Sequence, residues 1–511
     1  MAQIDPTKIK VESHVVPIWE TEVTFQDMMA ERLRAAPWFI LSAGIHVVVG
    51  LALWVMFPPQ AAQKVVNKVE MTNQETQEVV EPPPPPPPET KPEEVTDEVV
   101  VTENTVTEEQ TFDQNVTNEV NQKESAFDSN QWNSAVGLGG GAGGRYGGRG
   151  GGGRKGGGGG KSYAEAIDAG LQWLKNHQDE DGKWDCDQFM KHDDPASDIC
   201  TGPGNAVHDV GCTGLALLAF LGDGSTMRGG PYKDPIKKGV KWLKENQQEN
   251  GLFGTNASHD FIYNHAIAAY AMCEAFGLSD YQLLKDTAQK GVNYLESHRN
   301  PYSVWRYQPR DNDNDTSVTG WCIMAYESGK FFGLTINNEA LKLCGVWLDQ
   351  VSDPTGLHGY SKQGEPSSRK PGEHQTRFPP EKGAAMTAVG LFCRFFMDQD
   401  PKEKPVMKAA ADLLRAKLPV WDEKAGTIDA YYWYYATYAL FQMGGPHWDD
   451  WKKKLETAVV KNQQRDKTKK NLYGSWDPTN DVWGEDGGRV YSTATLVLTL
   501  EAYYRYSRLV H

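Results

Sequence analysis

The chain has 511 residues, with 52 Lys and Arg against 68 Asp and Glu, a formal net charge of −16. That acidic balance excludes a general nucleic-acid binder, which needs a basic face to meet phosphate. Its seven cysteines include no CxxC pair, which excludes a disulfide scaffold or a zinc ribbon, and the clustering of glycine and proline in one region excludes a uniformly globular chain.

Residues 1–36 form a short polar arm. Pro37 to Phe57, PWFILSAGIHVVVGLALWVMF, carries no acid, lysine or arginine. About 20 such residues cross ~30 Å of hydrocarbon, so 37–57 reads as a transmembrane helix in preference to a removable signal peptide. Arg32 and Arg34 precede the span, and the first lysines after it are Lys64 and Lys68. This bias predicts a cytoplasmic N-terminus, with everything beyond Pro58 outside the cytoplasm. Ser42 and His46 lie one helical turn apart on one face. A histidine in mid-span either turns toward protein or bonds locally to a backbone carbonyl. Ser42-Ala43-Gly44-Ile45-His46 in a single N-terminal span, followed by a run of prolines, resembles the membrane anchor of TonB-type energy transducers. The resemblance covers about the first 100 residues. It implies that Ser42 and His46 face an ExbB/ExbD-like proton-driven motor in the inner membrane, and that the remainder is periplasmic.

Residues 58–161 show no sustained apolar periodicity. EPPPPPPPETKPEE favours a stiff polyproline II rod, and the Glu-, Thr-, Asn- and Val-rich stretch after it is poor in aromatics. Gly137 to Gly160 is a flexible tether. The whole segment is predicted to be an extended or disordered stalk.

From residue 162 to 511 the sequence repeats. AGLQWLKNHQDEDGKW (Ala169 to Trp184) matches KGVKWLKENQQENGLF (Lys238 to Phe253); KGVNYLESHRNPYSVW (Lys290 to Trp305) and CGVWLDQVSDPTGLHGY (Cys344 to Tyr360) are looser copies, and two degenerate ones follow. Each copy reads as an amphipathic helix and is followed by a helix apolar nearly all round, as in DVGCTGLALLAFLG and NHAIAAYAMCEAFG. Six such pairs, with only the second helix buried, predict an all-α fold, an α6/α6 toroid of two concentric rings of six helices. The copies resemble the QW repeats of the squalene cyclase and protein prenyltransferase superfamily. The resemblance implies that Gln178 and Gln247 satisfy helix-end groups and that Trp184 packs beside them. It implies a scaffold and no particular reaction.

The stretch RDNDNDTSVTGW, Arg310 to Trp321, raises the question of catalysis. Protonating squalene cyclases, which the repeats resemble, open an inner helix with Asp-x-Asp-Asp-Thr, whose middle acid gives a proton to an alkene. Set on Thr316, this chain offers Asn312, Asp313, Asn314 and Asp315, so an amide stands where the donor belongs and that cyclisation is not expected. Asp311, Asp313 and Asp315 fit the first ligand positions of an EF-hand, but Thr316 and Cys322 break the pattern. Against its sister repeats, Asp315 aligns with Asp209, Asn264 and Asp429 as the N-cap of an inner helix. Helix N-termini gathered at one mouth of the barrel would favour an anionic or polar ligand.

The insertion WDCDQFMKHDDPASDIC, Trp184 to Cys200, predicts a Cys186–Cys200 disulfide in an oxidising compartment. Metal binding by these cysteines with His192, Asp193, Asp194 and His208 is the alternative. No Asp, Cys and His set matching the prenyltransferase zinc site is seen, and no cofactor is expected. YYWYYATY, Tyr431 to Tyr438, with Trp321, Tyr270 and Tyr491, either lines a cavity for an apolar or polymeric ligand or packs as core. The sequence favours a membrane-anchored, extracytoplasmic binding or assembly module. The alternative is a toroid enzyme, a terpenoid cyclase relative or a polysaccharide-cleaving enzyme, whose acids would be drawn from Asp313, Asp315, Glu373, Glu485 and Asp486.

Overall fold

A computed structural model of the chain describes residues 160–506. The expected transmembrane span with Ser42 and His46, and nearly all of the stalk, lie outside the described residues; among those described, no helix is long and apolar enough to cross a membrane.

The described residues are helical, with only isolated β-bridges between helices. Six helices have one buried stripe each: α1 (Gly160–Asn176), α3 (Lys233–Glu245), α5 (Lys285–His298), α7 (Asn338–Val351), α10 (Pro405–Arg415) and α12 (Gly445–Ala458). In α3 the apolar residues Ile236, Val240 and Leu243 recur at helical spacing and are buried, while Lys238, Lys241 and Glu245 are exposed on the far face. Each such buried side chain contributes roughly 1.5–3 kcal/mol.

Their partners are α2 (Asp209–Gly222), α4 (Phe261–Ser279), α6 (Thr316–Phe331), α9 (Ala385–Phe396), α11 (Ala430–Met443) and α13 (Gly484–Leu500). These are buried almost throughout, so they have no solvent face. Each packs on the next in the order α2, α4, α6, α9, α11, α13, and α13 returns to α2. The inner helices therefore close a ring, and the amphipathic helices pack outside it. This is an α6/α6 toroid.

One hydrogen-bonding pattern recurs in the outer-to-inner connections. Gln178 Nε2 donates to Gly182 O at 2.8 Å and to Pro235 O of the next outer helix at 2.9 Å; Gln247 Nε2 does the same to Gly251 O (3.1 Å) and Thr287 O (3.0 Å). The Trp184 and Trp305 indole N–H groups each donate at 2.7 Å to carbonyls ending the preceding outer helix, Leu174 O and Leu295 O. The tryptophan bonds add a second donor to carbonyls of the last helical turn, which also accept His177 N (3.2 Å) and Arg299 N (3.0 Å). Gly182 and Gly251 sit at φ +108° and +94°, where a Cβ would stand 2.2 Å from the carbonyl oxygens of Lys238 and Lys290. Only glycine lets the turn pass that close to the next helix.

The carboxyl ends of the inner helices are closed by the C-terminal segment, α14 (Ala502–Arg505) and Tyr506. Arg505, fully buried, donates to Leu218 O at 2.6 Å and pairs with Glu274 at 2.9 Å and Glu501 at 3.2 Å. Tyr506 bonds to Tyr270 and Glu274 and packs on Phe396.

Candidate ligand-binding cavity

At the opposite end, where the inner helices begin, a cavity of about 490 Å³ opens on the ring axis. Every inner helix lends its first turns to the wall, for example Gly211 of α2, Ser317 and Trp321 of α6, Tyr431 of α11 and Tyr491 of α13. Loops supply Tyr307, Tyr360 and the segment Ser367 to Pro371. The wall is chiefly aromatic, with polar groups at its edges, and six helix N-termini point toward it.

Two of the four expected caps act as caps. Asp315 has extended backbone (φ −143°, ψ 158°) and its Oδ1 accepts from Val318 N at 2.7 Å; Asp429 Oδ1 accepts from Tyr432 N at 2.8 Å. Asp209 does not. A 3₁₀ turn, Ala206–His208, runs straight into α2, so Asp209 is already helical (φ −51°, ψ −41°) and its carboxylate turns outward to Cys186 N at 2.9 Å and Lys183 Nζ at 2.7 Å. Asn264 does not either, because α4 begins at Phe261 with Asp260 preceding it. Hydrogen bonding corrects the register: Phe253 N donates to His265 Nδ1 as Trp305 N donates to Thr319 Oγ1, which makes Phe261 the counterpart of Asp315. Asn264 instead donates to Val207 O at 2.8 Å and lines the cavity beside His208.

Asn314, at the donor position of the cyclase pattern, accepts from Val304 N at 3.1 Å and is absorbed in its own loop. Asp315 is fully buried behind the wall. Burial pushes its carboxyl up to about 7, against the pull of the Val318 amide, Arg306 and Tyr360. Tyr360 donates to Asp315 Oδ2 at 3.3 Å and shares a 2.6 Å hydrogen bond with Tyr307. The Arg306 guanidinium lies 5.5 Å from the centre of each of those rings, and its Nε is 3.7 Å from Asp315 Oδ2, an ion-pair distance too long for a hydrogen bond. This Arg306, Tyr307, Tyr360 and Asp315 array was not foreseen. The signal was present in Arg306 and Tyr307 directly after the repeat tryptophan, where other copies have Asp185 and Cys186 or Gly254 and Thr255.

The other candidate acids do not converge. Asp313 is mostly exposed and pairs with Arg306 at 3.5 Å; Glu373 is exposed on the short helix α8 (Glu373–Arg377); Glu485 is exposed and pairs with Arg377 at 3.1 Å. Only Asp486 lines the cavity, and it is ion-paired with Lys370. Missed by sequence reasoning, Asp481 lies behind the wall with Asp429. Burial raises both carboxyls, Asp481 to about 7, and Arg369 on the cavity wall pairs with Asp429 at 3.1 Å.

Of the aromatic set, Trp321, Tyr431 and Tyr491 line the cavity, whereas Tyr432, Trp433, Tyr434, Tyr435, Tyr438 and Tyr270 are buried core. The Tyr491 hydroxyl is buried with no hydrogen-bond partner in the protein, and the hydroxyls of Tyr434 and Tyr435 are likewise unmatched. The bridge expected between Cys186 and Cys200 is not formed. Both are free, buried thiols in different surroundings, Cys186 beside Cys212 and Cys200 against Asn471 O at 3.0 Å.

No family model matches the sequence, and no curated protein does. Solved structures similar to this chain include an α-1,6-mannanase of glycoside hydrolase family 76 from Salegentibacter in complex with α-1,6-mannotriose (10% identity, TM-score 0.45, 66% of this chain and 98% of that one). A type II terpene cyclase from Scytonema in complex with geranylgeranyl dihydroxybenzoate is 14% identical, with TM-score 0.41 over 66% of this chain and 96% of its own. An α-amylase from Clostridium perfringens is 11% identical, with TM-score 0.42 over 66% and 98%. The assignment of the toroid rests on the closed inner ring itself.

Proposed function

We propose that the toroid is a binding module that takes a hydroxyl-bearing ligand with flat apolar faces, the chemistry of a sugar ring, in the cavity at its mouth. The observation that carries this is the aromatic wall, with Trp321, Tyr431, Trp483 and Tyr491 in it and Asn264, Arg369 and Asp486 among its polar groups. Those polar side chains can exchange hydrogen bonds with ligand hydroxyls, each a net gain of about 0.5–1.5 kcal/mol. Flat rings such as Trp321 and Trp483 offer the apolar faces on which a sugar stacks. In this reading the module is carried outside the cytoplasm by the span 37–57 and the stalk, in the manner of the TonB-type anchor that Ser42 and His46 resemble. An ExbB/ExbD-like motor is then its membrane partner, and the glutamine and tryptophan pattern belongs with the QW-type repeats. Titrating the full chain in detergent with a panel of soluble oligosaccharides while following tryptophan fluorescence tests it. A saturable change lost in Trp321→Ala and weakened in Trp483→Ala is expected; no response to any member, or one indifferent to both substitutions, overturns it. For the motor, capture of this chain by an ExbB-like complex should fall in His46→Ala.

A second reading has its own observation: Asp315, with its carboxyl near 7, accepts from the hydroxyl of Tyr360, a residue of the cavity wall. A buried acid linked to the wall in this way favours a toroid enzyme that protonates its ligand. Asp315→Asn separates the readings, since a binder keeps its affinity and an enzyme loses turnover of the ligand it binds.

A further inference from the structure

At the seam where the first and last repeats meet, three ligating side chains converge outside the cavity. His177 follows directly on α1; Asp193 and Cys200 come from the insertion. His177 Nε2 lies 3.1 Å from Asp193 Oδ1 and 3.7 Å from Cys200 Sγ, and the three ligand atoms all lie within 4.8 Å of one another. All three side chains are buried, and none lines the cavity.

The imidazole is held for this position. Trp173 stacks on it at 4.1 Å, and its Nδ1 stands 2.8 Å from Trp173 O, a carbonyl that can only accept. Nδ1 therefore carries a proton, which in the neutral ring leaves Nε2 with its lone pair aimed at a carboxylate oxygen, a second acceptor. Two acceptors 3.1 Å apart need something positive between them. Metal-bound histidines are oriented in the same way, with the other ring nitrogen donating to a carbonyl. The spacing also fits: bonds of about 2.0–2.3 Å to N, O and S put neighbouring vertices of a tetrahedron roughly 3.3–3.7 Å apart. The contrast is the acidic group Asp185, Asp187 and Asp209, where Lys183 and Lys191 already supply the cation.

We propose that His177, Asp193 and Cys200 bind a zinc ion that fastens the insertion to the end of α1. Binding breaks the Cys200 S–H bond, forms an S–Zn bond and releases the proton to solvent; the zinc stays divalent and no electron moves. Asn471 O accepts both the S–H at 3.0 Å and the Trp173 indole N–H at 2.8 Å; when the thiol proton leaves, one of its lone pairs is freed to serve as a fourth donor. Asn471 also holds the insertion through Asp194 N at 2.9 Å and Asp194 O at 3.0 Å, so the ion would join the first repeat, the insertion and the last inter-helix loop. The competing arrangement is an imidazolium paired with Asp193 beside a neutral thiol, which takes up no metal.

The test uses the full chain purified in detergent without a histidine tag or chelator. Elemental analysis is expected to find one zinc per chain. Replacement by Co(II) is expected to give the d–d spectrum of a tetrahedral site with a thiolate charge-transfer band. That band should vanish in Cys200→Ser and persist in Cys186→Ser and Cys212→Ser. A wild-type chain that holds no zinc and takes up no Co(II) overturns the proposal, and so does a thiolate band lost in Cys186→Ser or Cys212→Ser but kept in Cys200→Ser. Because the wild type and the two control variants give decisive outcomes, the test stands even where Cys200→Ser fails to fold.

Discussion

Asp315→Asn separates the two things this residue does. Asparagine caps a helix as well as aspartate, so the bond from Val318 N survives the change, while the charge does not. In the folded protein burial holds the carboxyl near 7, against an ordinary value of 3.8. Between about pH 4 and pH 7 the unfolded chain has therefore released a proton that the folded chain still keeps. The folded state binds more protons over that window, so stability falls as pH rises through it. At about 1.4 kcal/mol per pH unit the ceiling is on the order of 4 kcal/mol for this one group. Asp481, also near 7, contributes a slope of the same sign that the substitution leaves in place. Denaturant unfolding followed by circular dichroism at pH 5 and pH 8 checks the argument. The wild type should be less stable at pH 8 than at pH 5, and the advantage of the variant over it should grow by roughly 1–3 kcal/mol between the two. Parallel pH dependences in the two proteins would refute burial as the cause of the raised carboxyl. Asp315→Ala should follow the same pH dependence as Asp315→Asn and lie about 1 kcal/mol below it at either pH, for the missing cap.

Gly251→Ala should destabilise by well over ~1 kcal/mol, because it combines a positive φ with a Cβ 2.2 Å from Lys290 O, whereas Gly372→Ala, at φ +85° with open space around it, carries the φ cost alone; the difference in melting temperature between the two variants measures the close approach. Trp305→Phe removes the donor to Leu295 O and should cost about 1–3 kcal/mol in denaturant unfolding. Glu274→Gln strips the buried Arg505 of one carboxylate and should cost roughly 3–5 kcal/mol, with proteolysis of the C-terminal segment rising in step. A loss below ~1 kcal/mol would show that Glu501 alone satisfies the guanidinium.

The toroid was legible because each pair of helices announces its two environments. Lys238, Lys241 and Glu245 mark the wet face of α3, while a run such as Ala266 to Met272 has no wet face and must sit between neighbours. Capping was legible only where the chain enters a helix from extended backbone, as at Asp315 and Asp429. At Asp209 a 3₁₀ turn replaces that entry, and at Asn264 the helix starts one turn sooner; both depend on backbone geometry that residue types do not encode. The wall of the cavity was harder still. Tyr307, Tyr360 and Arg369 come from separate inter-helix loops and meet only because the ring closes. The insertion shows the same limit: proximity in sequence suggested that Cys186 and Cys200 pair, yet Cys200 lies against His177, 23 residues away, and Asn471, 271 away.

The two ends of the ring differ in structure, one closed by the C-terminal segment and one open to the cavity, and the course of the chain relates them. Outer helices run antiparallel to inner ones, so α1 begins at the closed end, where Tyr163 packs on Tyr503 at 5.1 Å and bonds to Lys452 O at 3.1 Å. The cavity opens at the other end. In the reading proposed above, a pull arriving along the stalk reaches the toroid at the start of α1, the far end from the ligand, and tends to peel that helix from α13 and α2. Resistance to peeling depends on what holds α1 at its other terminus. That terminus is His177, and a zinc shared with Asp193 and Cys200 would tie it to the insertion, beside Asn471 of the last loop, so that a load on the first repeat is carried across the seam of the ring.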